Sequence, residues 1–233
     1  MAGATVTSVL QRLDDPDARR LVGNAAALAE RLDIPGGRPS YPVDAALAEL
    51  LPGGGLRQGS VVAVRGSTAL LLALLAAATA QGTWAAVVGV GDLGVLAAAE
   101  AGVAVHRLAL VPEPGDPAPV VAALLEGMGL VAVADVGRLP AGAQRSLTAR
   151  ARQRGAVLLP LGRWPGADVE LECRTEAWHG AQDSHGRLRS RDVVVRVTGR
   201  GAAARPRSAR LLLPGPDGRV AALPAAPVIR AVV

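Results

Sequence analysis

The chain has 233 residues, half of them hydrophobic, which is enough for one sizeable α/β domain with short appendages and too apolar for general disorder. All 25 basic residues are Arg, against 20 Asp and Glu, so no step that needs a lysine can occur, and the formal net charge of +5 favours polyanionic partners. A single cysteine, Cys173, excludes an intrachain disulfide, and no segment reads as a signal peptide or a membrane span, so a cytoplasmic protein is expected.

Residues 4–32 carry helical periodicity, with Asp15-Pro16 as a helix start and Leu21, Ala25, Leu28 and Leu32 on one face. The Pro/Gly/Ser-rich stretch 34–42 reads as a linker, and Val43–Leu51 as a short helix stopped by Pro52 and three glycines. Strands and helices then alternate. The strands fall at Val61–Val64, Trp84–Val88, Arg107–Val111, Leu130–Ala134 and Ala156–Leu161. The helices fall at Thr68–Ala80, Gly94–Ala101, Pro117–Glu126 and Pro140–Arg154. Continuous apolar strands in βαβα order specify a mostly parallel sheet covered on both faces. After Trp164 the pattern changes. Residues 169–174 and 193–197 alternate apolar and polar around the turn-like stretch 180–186, which predicts an antiparallel hairpin with one wet face. Arg210–Leu213 and Val220–Leu223 flank a further small turn.

In a sheet of this kind ligands bind at the carboxyl ends of the strands, and the first strand-to-helix turn is the phosphate site. A working phosphate loop, G-x-x-x-x-G-K-S/T, supplies backbone amides, a lysine and a Mg²⁺-binding hydroxyl. Here the turn is Arg65-Gly66-Ser67-Thr68, with one glycine and no lysine. Gly66, Ser67 and Thr68 form at most a vestigial nucleotide site, and a plain helix cap is the simpler reading. Asp135 ends the fourth strand, where a second nucleotide motif places its acid.

The stretch Val43–Gly66, the order of the strands, and VAVAD ending at Asp135 resemble the RecA core, over about residues 43–199. The truncated phosphate loop, and Gly89-Val90-Gly91-Asp92 where a catalytic glutamate is expected, depart from it. The stretches LLPGGGLRQGS, GSTALLLALLAA and RLALVPEPGD are similar to the degenerate RecA-like proteins of actinobacterial mutagenesis cassettes, the ImuA type. The resemblance implies a RecA-like three-layer α/β sandwich with a mostly parallel central sheet and a C-terminal antiparallel hairpin. It divides the chain into a helical segment and linker at 1–42, the core at 43–199, and an Arg/Pro-rich segment at 200–233.

It also implies a non-catalytic role in SOS mutagenesis and translesion synthesis. The implied partner is an ImuB-type homologue of Y-family polymerases. Behind it stand an error-prone C-family DNA polymerase and the sliding clamp, and with them an association with the nucleoid during DNA damage. The C-terminal region is the implied contact. From Arg187 to Arg219 there are nine Arg against two Asp, so Arg187, Arg189, Arg191, Arg205, Arg207 and Arg210 are the candidate contacts to partner or DNA. No cofactor or metal is expected, and nucleotide binding without hydrolysis is left open. His106, His179 and His185 lie too far apart in sequence for a metal set.

Three other readings compete. Gly89-x-Gly91-x-x-Gly94 with Glu113 spells a dinucleotide fingerprint, but on the second βα unit and before a short helix. An active ATPase would need Arg65 and Asp92 as substitutes. A SulA-like cell-division inhibitor would share a degenerate RecA-type fold. Trp84 is expected in the core, with Trp164 and Trp178 flanking the hairpin. Cys173 is expected to be half-buried. The helix 140–154 places Arg145 and Arg152 on one face, suited to a solvated surface or to weak contact with DNA or an acidic partner.

Overall fold

The computed structural model describes residues 39–182 and 185–223. The chain divides into two compact units, Met1–Pro39 and Ser40–Val233, and the helices expected over 4–32 lie outside the described residues.

The second unit opens with a short antiparallel pair, β1 (Ser40–Pro42) and β2 (Gly55–Arg57), with Tyr41 opposite Leu56. This corrects the reading of residues 34–42 as linker throughout. Between the two strands only Ala45–Ala48 (α1) is helical, shorter than expected, and Asp44 caps it by accepting from the Ala46 amide at 2.9 Å. Tyr41 reaches the loop before a later strand. A Cβ at Gly129 would sit 2.7 Å from its hydroxyl oxygen and 2.6 Å from the Thr83 methyl, so a larger residue there would push one of these side chains aside.

The parallel strands are β3 (Val62–Arg65), β4 (Ala85–Val88), β5 (Leu108–Val111), β6 (Leu130–Val133) and β7 (Val157–Pro160), each within a residue or two of its expected position. Four of them form a parallel sheet in the order β5-β4-β6-β7. A second sheet runs β11-β10-β9-β8-β3. Here β8 (Val169–Gln182) pairs parallel with β3, and β9 (His185–Gly199), β10 (Arg207–Leu212) and β11 (Ala221–Ala222) follow antiparallel. The two sheets meet where β3 lies beside β7, bridged in parallel at Val61–Leu158 and Val64–Leu161. The order across the molecule is therefore β5-β4-β6-β7-β3-β8-β9-β10-β11. The dinucleotide order, in which strand 1 lies between strands 2 and 4, is not this one.

Alternation along each parallel strand sends side chains to two cores. Val62, Val64, Val87, Ala132 and Leu159 join one cluster with the helix α2 (Thr68–Ala80). Val61, Ala63, Val88, Val133 and Leu158 join the other with α4 (Pro117–Leu124) and α5 (Ala141–Arg154). A helix that is apolar all round must be buried. α2 is one, with Leu70 to Leu75, Ala78 and Thr79 all buried. The Thr79 hydroxyl donates to the Leu75 carbonyl at 2.9 Å and accepts from the Ala104 amide at 3.1 Å, so the one polar group on the buried turn is satisfied.

Beyond β3, among the described residues, one face packs on the core. Leu171, Cys173, Val193, Val195, Val197 and Leu211 face α2, while Arg196 and Arg174 on the opposite face are exposed. The predicted wet-faced hairpin is present, and longer than expected. Its ladder shifts register between Thr175 and Ala177 and again between His179 and Ala181. Bulges break the two-residue period on which a strand is recognised. The small C-terminal hairpin also forms, with Leu211 opposite Ala222. β10 pairs along β9 from Arg207 to Leu212, so the sheet continues past residue 199.

Two side chains differ from expectation. Trp84 is not in the core. It stands immediately before β4, 45% exposed, with the Arg107 guanidinium 5.4 Å from its ring centre. The residue that leads into a strand lies on the rim of the sheet, where a large ring is only partly covered. Cys173 is fully rather than half buried, because β9 closes over it on one side and α2 lies below.

Candidate functional site

Gly66, Ser67 and Thr68 form the turn from β3 into α2, at the carboxyl edge of the sheet. Ser67 is the N-cap, with its Oγ accepting from the Leu70 amide at 3.3 Å, and Thr68 is the first helical residue. Gly66 has φ +83°, and a Cβ there would lie 2.2 Å from the Cys173 carbonyl oxygen. Its glycine is therefore required by the neighbouring strand β8, which leaves no need to invoke a bound phosphate.

Arg191 of β9 fills the space in front of this turn. Its Nη2 donates to Ser67 Oγ at 2.7 Å, its Nε donates to the Leu213 carbonyl at 2.7 Å, and its guanidinium lies 5.1 Å from the Trp178 ring centre. Backbone bonds hold the arginine in place: its amide donates to the Pro214 carbonyl at 3.0 Å, and the Leu213 amide donates to its own carbonyl at 2.8 Å. The result is an open depression of about 390 Å³ lined by the 66–69 turn, Trp178, Arg191 and Pro214. The cation in front of this turn thus comes from a distant strand, and it is engaged by a hydroxyl, a carbonyl and a ring.

Arg65 does not replace it. Its guanidinium pairs with Glu172 at 3.1 Å, beside β8. Arg174 bonds the same carboxylate at 3.1 Å. The Arg174 hydrogen bond, with both guanidinium charges, holds the Glu172 carboxyl below its usual range. Cys173 behaves oppositely: burial pushes its thiol up, against the smaller opposing pull of Arg191 and a hydrogen bond with Ser67.

Asp135 lies at the same edge, beyond the end of β6, exposed and in the left-handed region at φ 50°. The order β6-β7-β3 puts its strand two positions from β3, about 10 Å at the usual strand spacing. The fold brings Gly66, Ser67, Thr68 and Arg191 together, with Asp135 on the same edge. It does not gather the other arginines there. Arg189 is exposed on β9, and the side chain of Arg187 lies outside the described residues. Arg205 is exposed beyond β9. Arg207 donates to the Glu49 carbonyl at 3.3 Å, and Arg210 pairs with Glu176 at 2.6 Å. Arg210 stands opposite Val194, on the face away from Val193 and Val195. Arg191 shares the odd-numbered register of those buried valines, a distinction that strand parity encodes but charge counting over 187–219 does not.

The other glycine-rich turn, Gly89 to Gly94, leads into α3 (Val95–Glu100), a helix of six residues with only Ala98 buried. Asp92 and Glu113 are both exposed. Within the hairpin, His179 Nε2 lies 2.7 Å from Asp192 Oδ1. Among the described residues no three His, Cys, Asp or Glu side chains come together as a metal-binding group.

Fold and site together define an α/β protein with a parallel sheet and a mixed sheet, whose leading strand-to-helix turn is filled by an arginine from the hairpin. The chain belongs to the family of the MT3502 N-terminal domain, whose model matches residues 49–166. It is 40% identical over 164 residues to "Uncharacterized protein Rv3395c" of Mycobacterium tuberculosis (strain ATCC 25618 / H37Rv), covering 66% of this chain and 80% of that protein. No helix among the described residues is long and apolar enough to cross a membrane.

Proposed function

We propose that this protein is a non-catalytic, RecA-like accessory factor of DNA-damage-induced mutagenesis, acting by docking an ImuB-type polymerase homologue. One observation carries the reading: Arg191 occupies the front of the first strand-to-helix turn, where a triphosphate would be gripped, bonded to the Ser67 hydroxyl at 2.7 Å. A fold that retains its carboxyl-edge turn but fills it with its own side chain is suited to presenting surfaces rather than to turnover. The absence of any lysine points the same way, since Arg65 is committed to Glu172. The strand order also supports a RecA-like core over a dinucleotide one, because β3 is flanked by β7 and β8. The mycobacterial relative fits the actinobacterial group that the motifs resemble.

The contact surface in this reading is the exposed edge around Arg205, Arg207 and Arg210. Removing everything after Gly186 would take away β9 and with it the cover over Leu171 and Cys173, so the test uses the full chain. The chain and its triple variant Arg205→Glu, Arg207→Glu, Arg210→Glu are each used to capture the purified ImuB-type partner at low and moderate salt. Capture by the parent and loss in the variant support docking through this edge. No capture by either defeats the partner reading. ATP turnover that disappears in Asp135→Ala would defeat the non-catalytic one.

A further inference from the structure

We infer that the groove beside α5 is a sequence-independent cradle for the phosphate backbone of duplex nucleic acid, an inference that stands on charge and geometry and does not rest on the partner reading. The groove encloses about 410 Å³ and runs along α5 past Arg145, Thr148 and Arg152, with Pro165, Gly166 and Arg200 as its far wall. Arg145 and Arg152 are seven residues apart, so their stems leave the same helix face about 10 Å apart along the axis.

The charge there is unbalanced. α5 carries Arg145, Arg150, Arg152 and Arg154 and no acid. Three guanidiniums share one carboxylate: Arg57, Arg152 and Arg200 lie 3.7, 3.6 and 3.8 Å from Asp168 Oδ1. The other oxygen of Asp168 accepts from the Val61 amide at 2.9 Å, so that carboxylate is part of the fold and cannot move outward to neutralise the groove. Glu126 is likewise divided between Arg150 and Arg154. Among the described residues no carboxylate pairs with Arg145. A concave wall with this excess focuses positive potential toward an incoming polyanion.

The donors suit phosphate. Guanidinium forks match phosphate oxygens in two-bond geometry. The Thr148 hydroxyl oxygen accepts from Trp164 Nε1 at 3.0 Å, which leaves its own O–H to donate. No aromatic ring lines the groove, and Trp164 is buried behind it, so there is no platform on which unpaired bases would stack. Backbone contact alone favours the duplex, with its denser phosphate charge, over a single strand.

The test is fluorescence anisotropy of the full chain with labelled short duplexes of unrelated sequence, over a salt series. Equal affinity across sequences is expected, with a log–log salt slope of about −3 for three or four phosphates. Arg145→Ala is expected to weaken binding several-fold and to reduce the slope by about 1, whereas Arg107→Ala beside Trp84, at the β5 edge of the parallel sheet, changes neither. The groove variant breaks no ion pair, so thermal melting should match the parent and exclude misfolding as the cause. Absence of duplex binding at low salt would overturn the inference. So would Arg107→Ala acting like Arg145→Ala, tighter binding of single strands, or polyglutamate competing as well as duplex at equal charge. The partner capture described above is read independently of all of these.

Discussion

Arg191 and Ser67 lie 124 residues apart in sequence and are joined by a 2.7 Å hydrogen bond at the mouth of the first strand-to-helix turn. The bond fixes the hairpin to the helix-capping residue of α2, and it does so with a charged donor, which makes it stronger than a neutral bond of the same length.

Replacing Arg191 with Ala removes the bonds to Ser67 and Leu213 and the stacking on Trp178. A loss of about 2–3 kcal/mol is expected, since charged hydrogen bonds contribute about 1.5–3 kcal/mol each and part of this site is solvated. Urea denaturation reads the loss, and the Trp178 emission should shift. Arg191→Lys should recover less than half, because an ammonium on a flexible stem cannot hold a hydroxyl, a carbonyl and a ring at once.

Ser67→Ala removes both a cap and the acceptor for Arg191. The cap bond at 3.3 Å is long, so the cap itself should contribute toward the lower end of about 0.5–2 kcal/mol. In a double-mutant cycle with Arg191→Ala the two changes should be strongly non-additive, with a coupling of about 1 kcal/mol. Additivity would mean that the hairpin and the turn are energetically separate.

Gly66→Ala should be severely destabilising, by upwards of about 3 kcal/mol, because strain at φ +83° combines with a 2.2 Å approach to a backbone carbonyl that cannot step aside. Gly54→Ala provides the comparison. Its φ is +74° with nothing within 4 Å, so only the left-handed strain of about 1–2 kcal/mol remains. Equal losses in thermal unfolding would show that the close approach is relieved by movement of β8.

Two groups set opposite pH edges. The Cys173 thiol is raised in the folded state, so its contribution is whole below the unfolded thiol's pKa and is lost as pH climbs toward the folded value. Glu172 is lowered, so its contribution is present above the unfolded carboxyl's pKa and is lost as pH falls through the folded value. Unfolding midpoints across pH should decline at both ends. Glu172→Gln should flatten the acid side and Cys173→Ser the alkaline side. The Cys173 thiol should also resist an aromatic disulfide reagent at neutral pH until denaturant is added.

The sequence was most legible where chemistry is local. α2 begins and ends at the residues that its Ser cap and following glycine indicate, and every parallel strand was visible as a short apolar run. β1 and β2 were not, because three-residue strands containing proline and glycine carry the composition of a loop, and only their mutual pairing makes them strands. The hairpin's length was hidden by two bulges. At the site, Gly66, Ser67 and Thr68 were found from their position in the βα unit. Arg191 was named among six arginines, but its distinct place depends on strand parity and on a contact across more than half the chain.

One consequence of the sheet order concerns synthesis on the ribosome. The first parallel strand emerges early, yet both of its neighbours come late: the Val61 amide waits for the Asp168 carboxylate, 107 residues further on. Until then a valine-rich strand and an all-apolar helix have no sheet to join. Long-range parallel pairing of this kind is slow and exposes sticky edges. Nascent chains released before β8 is complete should therefore depend on holding chaperones, and the natural folding unit includes the antiparallel strands that lie beyond the family-matched residues 49–166.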